Sequence, residues 1–303
     1  MPEKSIAVLA FVNMSNDLEN EFFSDGIAEE IINALTKVKA LRVASRTSSF
    51  AFKGKSEDIG EVGRKLKVHT VLEGSVRKAG SRLRVTAQLV NVADGYHLWS
   101  ERYDRQLDDV FEIQDEIAEN VVRALRVVLG EDEKRAIEKT PTENMQAYEY
   151  YLRGRQVQHQ MRRSALQYAR RMFDRAIEID PNFARAHAGI ADCCSFVYMY
   201  WDGSNANLEG ADTSSRKALE LDPESAEAHT SRALALTLRR SYRQAREEFE
   251  AALRLNPMLY EAHYFYGRAC LTEGKFNEVP SCEPVGHLSD SKRVLTSRLC
   301  VSC

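Results

Sequence analysis

The chain has 303 residues, enough for two domains with cores of their own, and its 44% hydrophobic and 29% charged residues are ordinary for a globular protein. A net charge of −3, nearly balanced in both halves, excludes a global pull toward nucleic acid or an anionic membrane. No apolar run approaches the roughly 18–20 residues of a membrane span, and the six cysteines (193, 194, 270, 282, 300 and 303) all lie in the second half, unlike the disulfide framework of a small secreted domain.

Residues 6–12, IAVLAFV, form a continuous apolar run, which predicts a strand covered on both faces. The run is too short for a secretory core and has no small-residue cleavage site, so a cytoplasmic location is expected. Ser24 or Asp25 can cap the next helix, with Glu29 and Glu30 near its start. Phe23, Ile27, Ile31 and Leu35 give that helix one apolar stripe. Residues 41–44 read as a short strand and 58–67 as a helix. Three strands follow over 69–78, 82–92 and 96–103, joined by Ala79-Gly80 and Asp94-Gly95 turns. In the middle one Leu83, Val85, Ala87 and Leu89 alternate with polar residues, the mark of a half-covered antiparallel strand. An amphipathic helix is predicted over 109–129. The order β-α-β-α-β-β-β-α predicts an α/β sandwich over 1–130, with 131–144 as a charged linker.

The second half changes character. Asp-Pro or Asn-Pro closes a helical pattern at Pro181, Pro223 and Pro257, and the last two recur at the 34-residue period of the tetratricopeptide repeat. Between them Ala233, Ala245 and Ala252 fall where paired helices approach closely, and Phe249 fills the groove beside them. The first unit carries Gly154, Ala169, Phe173 and Ala176; the second carries Ala191, Ala211 and Ala218, an insertion at 201–207, and Ser215 at the bulky position. The fourth begins with Tyr260, His263, Tyr266 and Gly267. An all-α repeat solenoid over 145–279 is predicted, three complete units and a half. Residues 280–303 lose the helical period and read as a frameshifted, truncated or natively irregular tail.

The stretches SIAVLAFVNMS, FFSDGIAEEIINAL, RTSSFAFKGK, VLEGSVRKAG, RLRVTAQLVNVADGYHLWSERYDR and FEIQDEIA resemble the TolB-like (FlgO-related) amino-terminal domains of bacterial regulators. The resemblance covers nearly all of residues 1–130. It implies a non-catalytic accessory or sensory domain that commonly precedes tetratricopeptide repeats. Such a pair often ends class III nucleotidyl cyclases, protein kinases or winged-helix transcription regulators. With the first strand starting at residue 6, an upstream effector domain is expected to be missing.

No residue set carries catalysis. Gly54-Lys55-Ser56 lacks the earlier glycine of a phosphate-binding loop, where Ser49 stands. His187, His229 and His263 occupy one equivalent repeat position, so they are expected to lie a helix spacing apart as packing residues rather than on one metal. Cys300-Val-Ser-Cys303 lacks the second pair of a zinc ribbon. Glu29-Glu30 and Asp108-Asp109 are helix neighbours that do not face each other. No enzyme activity, cofactor or metal is therefore expected. The expected function is a protein-interaction scaffold, with a cyclase accessory region and a small-molecule sensor as alternatives. In the sensor reading a ligand lies between the sheet and the helix at 22–38.

Each helix pair buries its apolar face only against neighbours, which makes a curved solenoid with the first helices inside. The expected partner-binding positions are Tyr148, Tyr151, Arg155 and Gln158, then Arg185, Asp192 and Ser195, then Glu227, Thr230 and Thr237, then Glu261, Tyr264 and Arg268. A protein or peptide is the expected ligand. No nucleic acid or membrane span is expected. Self-association is expected at the uncovered last helix, which carries Tyr264, Phe265, Tyr266 and Leu271.

Overall fold

The structure, a computed structural model, describes residues 4–17, 20–137 and 141–274. The predicted tail at 280–303, with Cys282, Cys300 and Cys303, lies outside the described residues.

The first half is a mixed sheet with helices on it. Strand β1 (Ser5–Val8) lies between β3 (Arg42–Val43) and β4 (Thr70–Ala79), parallel to both. From β4 the sheet continues antiparallel through β5 (Arg82–Asn91) to β6 (His97–Gln106). Every residue of β1 is buried because both faces are covered: Ile6 and Val8 join the main core, and Ala7 packs with Val62, Val68 and Val71. The apolar run predicted as one strand is broken. Phe11 turns inward and is buried, Val12 turns outward, and β2 (Val12–Asn13) pairs separately with β4.

Helix α1 (Glu21–Thr36) covers one face of the sheet. It starts earlier than the predicted Ser24 or Asp25 caps, with Asn20 at its N-cap, so Glu29 and Glu30 stand mid-helix. A short α2 (Arg46–Phe50), capped by Ser45, was not predicted; α3 (Ile59–Leu66) was, and Asp58 caps it. Helix α4 (Val110–Ala124) stops five residues before the predicted 129. Its end closes by Arg126 N–H to Arg123 O and Val127 N–H to Val122 O, with Arg126 left-handed at φ 54°, leaving Val128 exposed. The stretch predicted as linker holds α5 (Glu131–Ile137), and Ile137 is buried in the main core.

The second half is the predicted helical array. The antiparallel pairs are α6 (Met145–Gln158) with α7 (Arg163–Ile179), α8 (Ala184–Tyr200) with α9 (Asn205–Leu221), and α10 (Ala226–Leu238) with α11 (Tyr242–Leu255). Helix α12 (Tyr260–Glu273) follows as a first helix. Phe173 is pinched between Gly154 and Gly189, where an added Cβ would stand 2.5 and 2.7 Å from its ring. The space left by Ser215 is lined by Arg232, which reaches Asp212 at 2.6 Å and the Ser215 hydroxyl at 3.4 Å.

Candidate functional site in the repeat groove

The predicted groove positions lie on α6, α8, α10 and α12, and helix α1 of the same chain packs against this array. Fourteen of the sixteen α1 residues are buried. One side of α1 is the predicted stripe of Phe23, Ile27, Ile31 and Leu35, all inaccessible, packed in the α/β core. The other meets the repeats. At Gly26 the approach is so close that a Cβ would stand 2.6 Å from Leu152 of α6. Arg153 stacks over the Phe22 ring at 4.3 Å.

Charge fixes this contact. Glu29 accepts from Arg155 Nε at 3.0 Å and from Arg46 Nε at 2.7 Å, while His159 Nε2 stands 3.5 Å away. Burial pushes the Glu29 carboxyl up, but Arg155 and Arg46 outweigh it and hold it well below the ordinary carboxylate range. Burial also drives the His159 ring down to about 4, so it is neutral at neutral pH. Next along, Glu30 accepts from Arg185 at 2.5 Å. Lys78 of β4 pairs with Glu149 of α6. At the far end of α1, Asn256 donates to the Thr36 hydroxyl at 2.9 Å, tying the turn before α12 to the helix. Two mid-helix carboxylates with two repeat arginines thus make a buried ionic contact between the halves.

The predicted partner-binding residues divide accordingly. Tyr148 is wholly buried, in contact with Phe111 and accepting from Gln114 at 3.1 Å. Tyr151 is packed against Phe173 and Phe183. Gln158 and Ser195 are buried, and Thr230 is turned back onto the Ala226 carbonyl at 2.8 Å. Arg155 and Arg185 hold α1. Asp192 accepts from Ser231 at 2.7 Å, and burial pushes its carboxyl up to about 6. Half-buried Glu227 is held below its ordinary range: burial raises it, but Arg185 and Lys37 lower it further. Glu261, Thr237, Tyr264 and Arg268 are half-buried. There Arg268 bonds the Tyr200 hydroxyl and stands over the Tyr200 and Tyr264 rings at 5.6 and 5.9 Å. Tyr200 and Trp201 beside it are 45% and 40% exposed.

Sequence reasoning missed α1 as the occupant. The signal was present: an adjacent glutamate pair inside an apolar stripe needs a buried partner of opposite charge. It also missed the job of the repeat histidines. His187, His229 and His263 sit apart, and the Nε2 of each meets the carbonyl of the proline six residues earlier, at 3.1, 3.0 and 2.8 Å.

The sensor reading placed a ligand between sheet and α1; that interface is closely packed. A cleft of ≈ 360 Å³ lies elsewhere, lined by Leu9, Val12, Phe52, Lys55, Glu73 and Gln88 among others. The Gly54 loop on its rim is entered from α2 rather than from a strand. Among the described residues no group of His, Cys, Asp and Glu is placed to hold a metal, and no helix is long and apolar enough to cross a membrane.

Comparison with known proteins matches this layout in two parts. Residues 2–120 match the family model of the HilA/YgeH-like transcriptional regulator, second domain. Residues 234–278 match the tetratricopeptide repeat. The helical half is a tetratricopeptide-repeat array. The two-part layout, a mixed α/β domain followed by tetratricopeptide repeats, is thus present in both the fold and the family matches. Over 250 residues, 81% of the chain, it is 44% identical to a protein of Rhizobium meliloti (strain 1021) named "Putative adenylate cyclase 3". The chain spans only 42% of that relative's length. Among solved structures, TolB from Acinetobacter baumannii is similar at 15% identity, over 43% of this chain and 30% of that one, with a TM-score of 0.32. The first tetratricopeptide domain of Spaghetti (RPAP3), bound to an HSP90 peptide, is similar at 16% identity, over 43% of this chain and 94% of that one, with a TM-score of 0.34.

Proposed function

We propose that this chain is a non-catalytic regulatory module that binds a protein or peptide on the part of the tetratricopeptide face that α1 leaves open. The observation that supports this reading is the division of the groove. Arg155 and Arg185 are spent on α1, while Thr237, Glu261, Tyr264 and Arg268 keep partial exposure, with Arg268 reaching Tyr200 and Tyr264, and Tyr200 in contact with Trp201. Aromatic and arginine side chains gathered on a concave rim are the composition of a protein-binding hot spot.

The relative named as an adenylate cyclase favours a finer reading of the same module. The chain corresponds to less than half of that protein, so it would act beside a nucleotidyl cyclase domain supplied by another segment. The probe is the part of the Rhizobium meliloti protein outside the matched stretch, purified and titrated into this chain by calorimetry. Binding is expected, weakened about fivefold or more by Tyr264→Ala and by Arg268→Ala. No binding removes the cyclase reading; binding unchanged in both variants removes the rim. The chain alone, given ATP or GTP with Mg²⁺ or Mn²⁺, is expected to form no cyclic nucleotide, and turnover would contradict the non-catalytic assignment.

A further inference from the structure

Among the described residues, strand β6 ends the sheet and pairs on one side only. It runs ten residues, and Tyr103 is the one buried among them. Its inner edge is occupied: Glu101, Tyr103 and Arg105 stand opposite Ala87, Val85 and Leu83, and the Leu107 N–H donates to Ser81 O at 2.8 Å. Backbone groups alternate between the two edges of an antiparallel strand. The amides and carbonyls of Ser100, Arg102 and Asp104 therefore point away from β5, and the edge ends at Gln106, whose N–H donates to Asp109 Oδ2 at 3.2 Å. A long open edge of this kind is a template for another strand.

The side chains specify which strand. The segment Glu101-Arg102-Tyr103-Asp104-Arg105 is complementary to its own reverse. A second copy laid antiparallel, Tyr103 opposite Tyr103, puts Arg102 opposite Asp104 and Glu101 opposite Arg105, each twice by two-fold symmetry. The faces agree. Glu101 and Arg105 lie opposite Ala87 and Leu83, on the face that carries the helices, whereas Arg102 and Asp104 lie opposite Thr86 and Arg84 on the other. The backbone agrees too, since Arg102 and Asp104 both present outward groups and meet as hydrogen-bonded pairs, two by symmetry, in this register. Neighbouring centres fail: they set Arg102, Asp104, Glu101 or Arg105 directly against its own copy, and like charges opposite one another destabilise a ladder. Arg102 and Arg105 have no ion-pair partner among the described residues, whereas Asp104 is already held by Arg82 and Arg84.

We propose that two copies of this chain join through β6, paired antiparallel about Tyr103 into one continuous sheet. This interface lies on the α/β domain and does not depend on what the repeat rim binds.

The test is sedimentation equilibrium of the full chain over a concentration series. A concentration-dependent dimer is expected. Arg102→Asp sets a carboxylate against Asp104 of the other copy and is expected to weaken the dimer roughly tenfold or more. The double variant Arg102→Asp, Asp104→Arg exchanges the charges and is expected to restore it. These side chains are exposed or half-buried, and a matching thermal transition in each variant shows that the fold survives. A monomer at all concentrations, or a dimer indifferent to Arg102→Asp, overturns the proposal.

Discussion

At the scale of single residues, burial and pairing set opposite pH responses on the two sides of the groove. The Glu29 carboxyl lies well below its ordinary range in the fold. Its pairing therefore contributes stability in full above its unfolded pKa, and that stability is lost as pH falls through the lowered folded value. Asp192 is shifted the other way, up to about 6 by burial. Between the ordinary aspartate value and about 6 the folded chain holds the extra proton, so this group favours folding at the acid end and opposes it above. Asp192→Asn is expected to raise stability at pH 7 by roughly 1–2 kcal/mol and to flatten the pH dependence between about 4 and 6. Urea unfolding at a series of pH values checks both; equal gains at pH 4 and pH 7 would contradict the shift. The repeat histidines make a separate residue-scale point. Each spans its own turn to a proline carbonyl. His263→Ala is expected to cost about 1 kcal/mol, measured by thermal unfolding. His229 adds a second bond, to Glu248, which pushes its ring pKa up. Stability from that pair is full below the unfolded histidine pKa and is lost as pH rises through the folded one.

At the scale of elements, most of the secondary structure was legible, and the errors have local causes. Alternation identified β5 because one face of the antiparallel ladder is exposed. The run at 6–12 gave no such contrast, so the jog at Phe11 could not be read from it. The end of α4 was hidden because a Schellman closure was made by Arg126 rather than by glycine. The same left-handed arginine closes α10: Arg240 has φ 60°, with Ser241 N–H on Leu236 O at 2.9 Å. Relieving that strain by Arg240→Gly is expected to raise stability by up to about 1 kcal/mol, read from the urea midpoint. Helix α1 was misread for a different reason. Its sheet-facing stripe was clear, but its second buried face is polar and made of Glu29, Glu30 and Thr36, which a one-face pattern assigns to solvent. Gly26→Ala tests that face directly. The added methyl meets Leu152, so a loss of roughly 1–3 kcal/mol is expected.

At the scale of the whole molecule, the repeats and the α/β domain share one core. Residues from β1 to α10 belong to a single contiguous cluster of buried side chains, with Tyr148, Tyr151 and Leu152 continuing the packing of α1 and α4. The repeat period announced the paired helices. It could not announce that the inner positions are filled from within the chain, because the partner of Arg155 lies 126 residues away in sequence. A buried carboxylate between two arginines is a costly arrangement if either side is lost, since the remaining charge stays in a desolvated site. The halves are therefore expected to unfold together in one transition.

The pairing of Glu29 with Arg155 carries the claim that the groove is filled by the chain's own helix. A double-mutant cycle of Glu29→Gln and Arg155→Gln, measured by urea unfolding at pH 7, isolates it. Each single variant is expected to lose about 3 kcal/mol or more, and the double variant clearly less than their sum, a coupling of roughly 1.5–3 kcal/mol. Additive losses within about 0.5 kcal/mol would mean the two side chains do not meet, and would return the whole concave face to an outside partner.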